Sequence, residues 1–247
     1  MPDNMLNVIL PDGSRKEFPG SVTCREVAAA IGPGLAKSAI AAEVDCQPAS
    51  GEVNLRLFTK RDAESLAIMR HSCAHVMAQA VMRLHKGVQL AFGPTTGSGF
   101  YYDFMLPKQL TEEDFPKIEA EMAKIVKEDL AFERLDTPRD EATQLVSELG
   151  QQFKVEHIAT GLGAESHVSF YRQGEFIDLC RGVHVPSTGH IGKAFKLLSI
   201  AGAYWKGDAA REQLQRLYAT AKPRNAITAR WANSSSSLPS IRRSARG

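Results

Sequence analysis

The sequence predicts an α+β protein with a small β-grasp domain, a larger domain of helices and antiparallel strands, and a disordered tail. Residues 1–61 alternate short apolar runs with one capped helical segment, a pattern typical of a β-grasp arrangement. A helical pattern without Pro or Gly follows from Glu64 to Leu84. Residues 222–247 are Ser-rich and basic, a composition that cannot bury a core.

The composition is typical of a soluble globular protein. The chain has 247 residues, of which 43% are hydrophobic, and charges of both signs are mixed along it. No apolar run reaches transmembrane length, and the N-terminus lacks a basic segment followed by an apolar one. The four cysteines show no paired spacing, which favours a reducing compartment. We therefore expect a cytoplasmic location and no membrane partner.

The net charge does not indicate the kind of partner. The formal value is +2, but residues 222–247 hold six basic residues and no acidic one. Residues 1–221 then hold 24 basic and 28 acidic residues, a charge of about −4. Bulk charge therefore gives no ground for inferring a nucleic-acid partner, which would need a local basic patch.

The β-grasp prediction for residues 1–61 rests on a hairpin, a helix and two further strands. Pro11–Ser14 is a hairpin turn signal. Thr23 can cap a short helix with Glu26 as its partner three residues later, and Gly32-Pro33-Gly34 should end that helix. The strands are expected at Leu6–Leu10, Lys16–Phe18, Ser38–Val44 and Val53–Phe58.

The helix predicted from Glu64 to Leu84 has two faces of different character. At about 100° per residue, His71 and His75 share one side with small apolar neighbours, so that side should form the wall of a pocket. Cys73 points to the opposite side and is interpreted as core. A His-x-x-x-His pair also occurs by chance, so on its own it marks a site only weakly. The core stripe consists of Leu66, Met69, Cys73, Val76, Ala80 and Leu84.

A second cluster of reactive side chains follows more than a hundred residues later. Phe176–Cys180 alternates as a strand does, so Asp178 and Cys180 share a face. Arg181 and Gly182 break the strand, and His184 follows the turn. Two imidazoles on a helix with a thiol and an imidazole at a strand end form a ligand set suited to zinc. The same set suits acid–base chemistry and the holding of a water molecule.

The remaining segments contribute fewer site candidates. Tyr102 lies in a predicted strand beside a Gly-rich loop and is a site candidate, because a buried hydroxyl needs a partner. Lys154 is either a surface lysine or a site residue, and His157 and His167 are interpreted as structural or exposed. Predicted helices are Thr111–Lys127, Thr137–Gly150 and Arg211–Ala221; predicted strands are Phe100–Phe104, Gln152–Ile158, Ser166–Tyr171 and Glu175–Cys180; Ala201–Asp208 is predicted as a compact turn.

Four motifs occur in a fixed order along the chain: His71–His75, Phe92–Asp103, Asp178–Pro186 and Gly202–Asp208. Together they resemble the amino-terminal half of bacterial threonyl-tRNA synthetases, from about residue 5 to 221. The resemblance implies a TGS domain at residues 1–61 and an editing domain at residues 62–221. The editing domain is related to alanyl-tRNA editing proteins and is expected to contain a central antiparallel sheet.

The resemblance also implies an activity and a site. Catalytic roles fall on His71, His75, Lys154, Cys180 and His184, while substrate binding falls on Asp178 and Tyr102, or its neighbour Tyr101. The implied reaction is hydrolysis of serine from tRNA(Thr). One methyl group distinguishes threonine from serine and is worth only ~1–3 kcal/mol in a binding pocket, so mischarging needs correction. The implied partner is therefore a mischarged tRNA.

The resemblance departs from the family pattern after Tyr218, where a linker and a class II catalytic core should follow. Residues 222–247 stand there instead, which suggests a truncated or frame-shifted form of a longer gene. We therefore expect neither ATP binding nor aminoacylation. Two alternatives stay open: a zinc-dependent deacylase that uses the same Cys and His residues, and a non-catalytic tRNA-binding remnant. We expect no required metal, with zinc possible at the site, and the sequence does not predict the oligomeric state.

Overall fold

The architecture is α+β, as predicted. A computed structural model describes residues 5–47, 52–163 and 165–222. Within these ranges the chain forms three β-sheets and six α-helices. The predicted disordered tail lies outside the described residues from residue 223 onward. Among the described helices, none has the length and apolar character needed to cross a membrane.

The first unit is a four-stranded sheet with two helices. It contains β1 (Met5–Ile9), β2 (Arg15–Pro19), α1 (Cys24–Ile31), α2 (Pro33–Ser38), β3 (Ala39–Gln47) and β4 (Glu52–Thr59). The strand order is β2-β1-β4-β3, and β1 runs parallel to β4. Both halves of the predicted capping box form, because the Thr23 side chain accepts from the Glu26 amide and the Glu26 carboxylate accepts from the Thr23 amide.

The prediction that Gly32-Pro33-Gly34 ends the helical segment is wrong in part. Gly32 does end α1, but Pro33 then begins the short helix α2. Proline is well tolerated in the first turn of a helix, where its missing N–H has no intrahelical partner to lose. The second boundary of this predicted domain, at residue 61, stays a prediction.

The second unit holds the remaining elements, and its core lies between a long helix and a sheet. The long helix α3 spans Glu64–Leu84, with the bounds that the sequence predicts. Cys73 is fully buried in the main core, on the side predicted for it. The other elements are β5 (Gln89–Leu90), β6 (Phe100–Met105), α4 (Phe115–Glu128), β7 (Glu133–Pro138), α5 (Arg139–Glu148), α6 (Gln152–Thr160), β8 (His167–Gln173), β9 (Phe176–Leu179), β10 (Phe195–Tyr204) and β11 (Gln213–Ala221).

This unit contains two antiparallel sheets where the resemblance implies one central sheet. The four-stranded sheet has the order β10-β11-β6-β5, and the three-stranded sheet has the order β7-β8-β9. Helix α3 packs on the four-stranded sheet, with Phe100, Phe104 and Leu217 in their shared core. The predicted hairpin between residues 166 and 180 forms as β8 and β9, although its turn lies at Gly174 and Glu175.

Two predicted secondary structures are wrong. Gln152–Ile158 is helical (α6), not a strand. This helix is buried on two sides, because Phe153 packs on Trp205 while Ile158 joins the core beneath α5, so a single helical stripe is absent. The run is short, and its alternation of polar and apolar residues does not by itself distinguish a strand from a helix.

The segment predicted as a helix at Arg211–Ala221 is the strand β11. It lies between β10 and β6, and both of its faces are packed: Leu217 lies in the core with α3, and Leu214 packs with Trp205 on the other face. Apolar residues on both faces mimic helical spacing. The helix predicted from Thr137 begins later, at Arg139, because Thr137 and Pro138 still belong to β7. The predicted turn at Ala201–Asp208 is a strand end followed by a single 3₁₀ turn at Trp205–Gly207.

Candidate active site

The imidazole-bearing helix and the strand that carries the thiol meet at one place. Nε2 of His71 lies 3.0 Å from Sγ of Cys180, and that sulfur lies 3.5 Å from Nε2 of His184. The rings of His71 and His184 stack with centroids 4.5 Å apart, and the ring of His75 packs against both. The potential ligand atoms of these four residues all lie within 4.8 Å of one another.

Local geometry explains how each side chain reaches this place. On α3, residues four apart lie on the same side, which brings His71 and His75 together. On β9, alternation points Asp178 toward the helix, and Cys180 follows directly after the strand ends. The chain then turns at residues 181–183, so His184 folds back between the two segments.

Ser72 holds His184 in place and was not identified from the sequence. Its hydroxyl donates to the carbonyl of Ile68 (2.9 Å) and accepts from the amide of Val185 (3.0 Å). Nδ1 of His184 lies 3.1 Å from the same hydroxyl oxygen. Because the hydroxyl proton is already used, Nδ1 carries the donor hydrogen and Nε2 of His184 keeps a free lone pair toward Cys180. Ser72 lies next to His71 in the sequence, but nothing in a single sequence distinguishes it from other packed serines.

A buried ion pair forms the other half of the site. Nζ of Lys154 lies 2.7 Å from Oδ1 of Asp178, and the hydroxyl of Tyr102 donates to Oδ2 at 2.5 Å. Nε2 of His75 lies 3.8 Å from Oδ2 of the same carboxylate. All four side chains are buried. The predicted site residues are therefore neighbours in space, including Lys154, whose segment was wrongly predicted as a strand; their catalytic roles stay predictions.

Burial sets the protonation of the imidazoles. Burial lowers the pKa of His71, although the negative charge of Asp178 opposes this shift. Burial also holds the pKa of His75 well below its usual value, and the positive charges that His71 and Lys154 can carry add to the effect. The pKa of His184 is lowered by burial and by the two neighbouring imidazoles. At neutral pH these rings are therefore uncharged and able to accept a proton.

The thiol of Cys180 is protonated at neutral pH. Burial, together with the nearby Asp178 carboxylate, raises its pKa to about 11. The thiolate, not the thiol, is the strong nucleophile. Without a bound cation to stabilise the thiolate, Cys180 is therefore placed as a pocket wall or weak donor rather than as an attacking group.

Two glycines allow the backbone to approach the site closely. A Cβ atom on Gly182 would lie 2.5 Å from Nε2 of His71, and the Gly182 amide donates to Sγ of Cys180 at 3.3 Å. A Cβ atom on Gly93 would lie 2.2 Å from the ring of Tyr102. Only a residue without a side chain leaves both rings in these positions. The sequence interpretation used Gly182 only as a strand breaker and gave Gly93 no role.

The site opens into a cavity of about 820 Å³. That volume is within the range of small-molecule sites and far exceeds what one amino acid needs. His157 lines the cavity and packs against Phe92 with ring centroids 4.7 Å apart, and the exposed His167 also lies on the wall. Further lining residues include Tyr101, Tyr102, Arg134, Lys154, Asp178 and Cys180.

The donor set of the site also fits a zinc ion. Zinc bond lengths to nitrogen and sulfur imply ligand-to-ligand distances of about 3.3–3.6 Å in a tetrahedron, close to the 3.0 and 3.5 Å separations around Cys180. Among the described residues, Nδ1 of His75 is buried without a hydrogen-bond partner, so this ring has a nitrogen available to bind a metal. Ser72 holds Nδ1 of His184 as an outer partner would hold a metal ligand.

Two known domain families match separate parts of the chain. The TGS domain matches residues 6–55. The threonyl and alanyl tRNA synthetase second additional domain matches residues 168–218. The second match contains Asp178, Cys180 and His184, whereas the helix with the other two histidines precedes it.

Similar proteins extend the match over most of the chain. The threonine–tRNA ligase of Rhodopirellula baltica is 57% identical over 228 residues, which are 87% of this chain and 31% of that protein. The threonine–tRNA ligase of Geobacillus kaustophilus is 50% identical over 227 residues, 90% of this chain and 34% of that protein. The threonine–tRNA ligase of Nitrosococcus oceani is 48% identical over 222 residues, which are 87% of this chain and 34% of that protein. The chain therefore spans about a third of the length of the curated relatives it matches.

Proposed function

Because this chain is a threonyl-tRNA synthetase amino-terminal region with a TGS domain and an editing-type second additional domain, we propose that it hydrolyses seryl-tRNA(Thr). The observation that supports this proposal best is a cluster of three neutral imidazoles, a thiol and a Lys–Asp pair, in which every member except the His184 ring lines one cavity. Serine and threonine differ by one methyl, which gives a single binding site only ~1–3 kcal/mol of discrimination. A second pocket that admits serine and excludes the extra methyl can correct the error.

Ester hydrolysis needs a positioned water, a proton acceptor and a group that stabilises the developing oxyanion. In this proposal, His71 and His75 hold the terminal ribose and the attacking water. Of the two, His71 is the better proton acceptor, because the Asp178 carboxylate opposes the lowering of its pKa by burial. Cys180 and His184 shape the pocket around that water. The pKa of the thiol, raised to about 11, favours water rather than Cys180 as the nucleophile.

The Lys154–Asp178 pair supplies the charges. Asp178 binds the ammonium group of serine, and Lys154 stabilises the negative charge that develops on the ester carbonyl. The hydroxyl of Tyr102 donates to Asp178 and keeps its second oxygen oriented. Because the pair is buried, its field acts at low dielectric and is stronger than it would be in water. No step in this scheme requires ATP, and aminoacylation is not part of the proposal.

The test is a deacylation assay with purified protein at high concentration and tRNA(Thr) charged with serine or with threonine. We expect release of serine but not of threonine. His71→Ala and His184→Ala should abolish serine release, while His85→Ala, just beyond the end of α3, should leave it intact. Equal rates for wild type and both site variants would exclude this site. No release by the wild type would favour the alternative of a non-catalytic tRNA-binding unit.

A zinc-dependent deacylase is the second candidate, because the four ligand atoms lie within 4.8 Å of one another. His71, His75, Cys180 and His184 would hold the ion. Bound zinc would act as a Lewis acid toward water or the ester carbonyl. Metal analysis of the purified protein separates the two candidates, together with the activity before and after treatment with a chelator. Activity that survives complete metal removal supports the metal-free scheme, and activity lost on removal and restored by zinc supports the second.

A further inference from the structure

The four-stranded sheet carries a face with two aromatic rings and an ion pair beside the cavity. In the register of β6 and β11, Tyr101 lies opposite Tyr218, and Asp103 lies opposite Arg216. The even-numbered residues of β6 pack in the core with α3, so alternation turns these four side chains to the other face. Tyr101 and Tyr218 are both partly exposed there.

These side chains hold each other in a fixed arrangement. The guanidinium of Arg216 makes two hydrogen bonds to the carboxylate of Asp103, at 2.7 and 2.8 Å. It lies 4.0 Å from the ring centroid of Tyr101. The two tyrosine rings are 5.6 Å apart. A ligand that stacks on this face would therefore lose little free energy in ordering protein side chains.

The face adjoins the cavity, and Arg70 lies near the end of the sheet. Tyr101 is itself one of the cavity-lining residues. Arg70, the residue before the first site histidine, donates to the carbonyls of Gly97 (3.1 Å) and Ala221 (3.2 Å). Within the ranges that the structure covers, no carboxylate pairs with its charge. Ala221 is three residues beyond Tyr218 on β11, about 10 Å along the strand.

Partly exposed aromatic rings beside a guanidinium group suit the binding of single-stranded nucleic acid, because every base has a π-face that can stack on a ring and every linkage has a phosphate. Under the proposed function, the cavity takes the aminoacylated terminal nucleotide, so the nucleotides before it must cross the rim. We propose that the face formed by Tyr101, Tyr218 and Arg216 binds those single-stranded RNA nucleotides, with a base stacked on Tyr101. This inference rests on the proposed function for its choice of RNA end.

The test measures binding of a 5′-labelled tetranucleotide RNA ending in CCA, the 3′ end common to tRNAs, by fluorescence anisotropy at low salt. Tyr101→Ala should weaken binding by about tenfold, the effect expected for loss of one stacked base. Tyr101→Phe should restore wild-type affinity, since it keeps the ring. Tyr204→Ala removes an exposed tyrosine at the far end of the same sheet and should change nothing. Thermal unfolding of each variant checks that it folds.

Unchanged affinity in Tyr101→Ala, or an equal loss in Tyr101→Phe, would overturn the inference, as would a wild type that does not bind the tetranucleotide. A second measurement separates this outcome from failure of the proposed function. The serine ester of adenosine lacks the preceding nucleotides, so Tyr101→Ala should lower kcat/KM for seryl-tRNA about tenfold more than for that ester. An equal loss of kcat/KM for both substrates contradicts the inference but not the proposed hydrolysis. A wild type that hydrolyses neither substrate contradicts the proposed function, while the anisotropy result still decides the inference.

Discussion

The hydroxyl oxygen of Ser72 lies 3.1 Å from Nδ1 of His184 and joins α3 to the loop after β9 behind the cavity. The same oxygen accepts a hydrogen bond from the Val185 amide. Ser72 therefore holds His184 and Val185 in place, although it is far from them in the sequence. Removing it leaves a buried amide and a buried imidazole nitrogen without partners. Such orphaned groups cost about 1–3 kcal/mol each.

We therefore expect Ser72→Ala to lower the free energy of unfolding by about 2–6 kcal/mol, measured by urea denaturation. Hydrolysis of seryl-tRNA, if the chain performs it, should fall more than tenfold, because His184 loses its orientation. Ser147→Ala is the matched control, since Ser147 is an exposed helical serine on α5. A Ser72→Ala protein as stable as this control would contradict the anchoring role.

The backbone at Gly182 lies close to the His71 ring, and this contact gives a second prediction. A methyl group on Gly182 would lie 2.5 Å from Nε2 of His71, so Gly182→Ala must move His71 away from Cys180. A displacement of about 1 Å can cost on the order of 100-fold in rate, and overpacking costs about 1–3 kcal/mol of stability. Seryl-tRNA deacylation and urea unfolding measure the two effects.

The matched control for that substitution is Gly34→Ala. Neither glycine has a positive φ, and a Cβ atom on Gly34 meets no atom within 4 Å. Gly34 lies in helix α2, where alanine should be neutral or slightly stabilising. Deacylation by Gly182→Ala at the rate of Gly34→Ala would show that the position of His71 does not matter.

The hydroxyl of Tyr102 supports a buried charge, which gives a third prediction. Tyr102→Phe keeps the ring on Gly93 but removes the hydrogen bond to Asp178. Hydrogen bonds to charged groups contribute about 1.5–3 kcal/mol, and we expect a loss of that size in urea unfolding. Tyr204→Phe, at an exposed tyrosine, is the control. If Asp178 binds the serine ammonium, the variant should also raise KM more than it lowers kcat, and a pure kcat effect would argue against that role.

The sequence predicted the elements that are long enough to outweigh an ambiguous local pattern. α3 was delimited correctly because its 21 residues carry helical spacing without Pro or Gly, although residues 72–81 are buried on every side of the helix, and the same periodicity placed His71 and His75 together. α6 and β11 were misassigned because both are packed on two sides, so their apolar residues follow neither period clearly. Burial on two sides is a property of the tertiary fold, and no local pattern reports it.

The candidate site was predicted unevenly for a related reason. Its titratable residues carry recognisable chemistry, and the family resemblance supplied Lys154 although its helix was taken for a strand. Ser72, Gly93 and Gly182 act through close contacts with distant segments. A serine or a glycine has no distinctive signal in a single sequence, and its partner becomes known only when the chain is folded.

The buried imidazoles predict unusual sensitivity of stability to mild acid. An unfolded histidine has a pKa near 6.5, whereas burial lowers the pKa of His71, His75 and His184 in the folded protein. Below about pH 6.5 the unfolded chain therefore binds more protons than the folded one, so stability falls as pH falls. Two fully shifted rings predict a slope of about 2.7 kcal/mol per pH unit below about pH 6.

The measurement is the free energy of unfolding from urea titrations between pH 7.5 and pH 5, with a chelator present so that no metal competes for the rings. Carboxylates with lowered pKa values, such as Glu156 and Glu175 at about 2, lose their contributions only near and below pH 4.5, outside this window. His184→Gln should reduce the slope by about 1.4 kcal/mol per pH unit, because one titrating ring is gone. The slope is the decisive quantity, since it is independent of any constant loss of stability in the variant. A slope identical to that of the wild type would mean that His184 is not held neutral by burial in the folded protein.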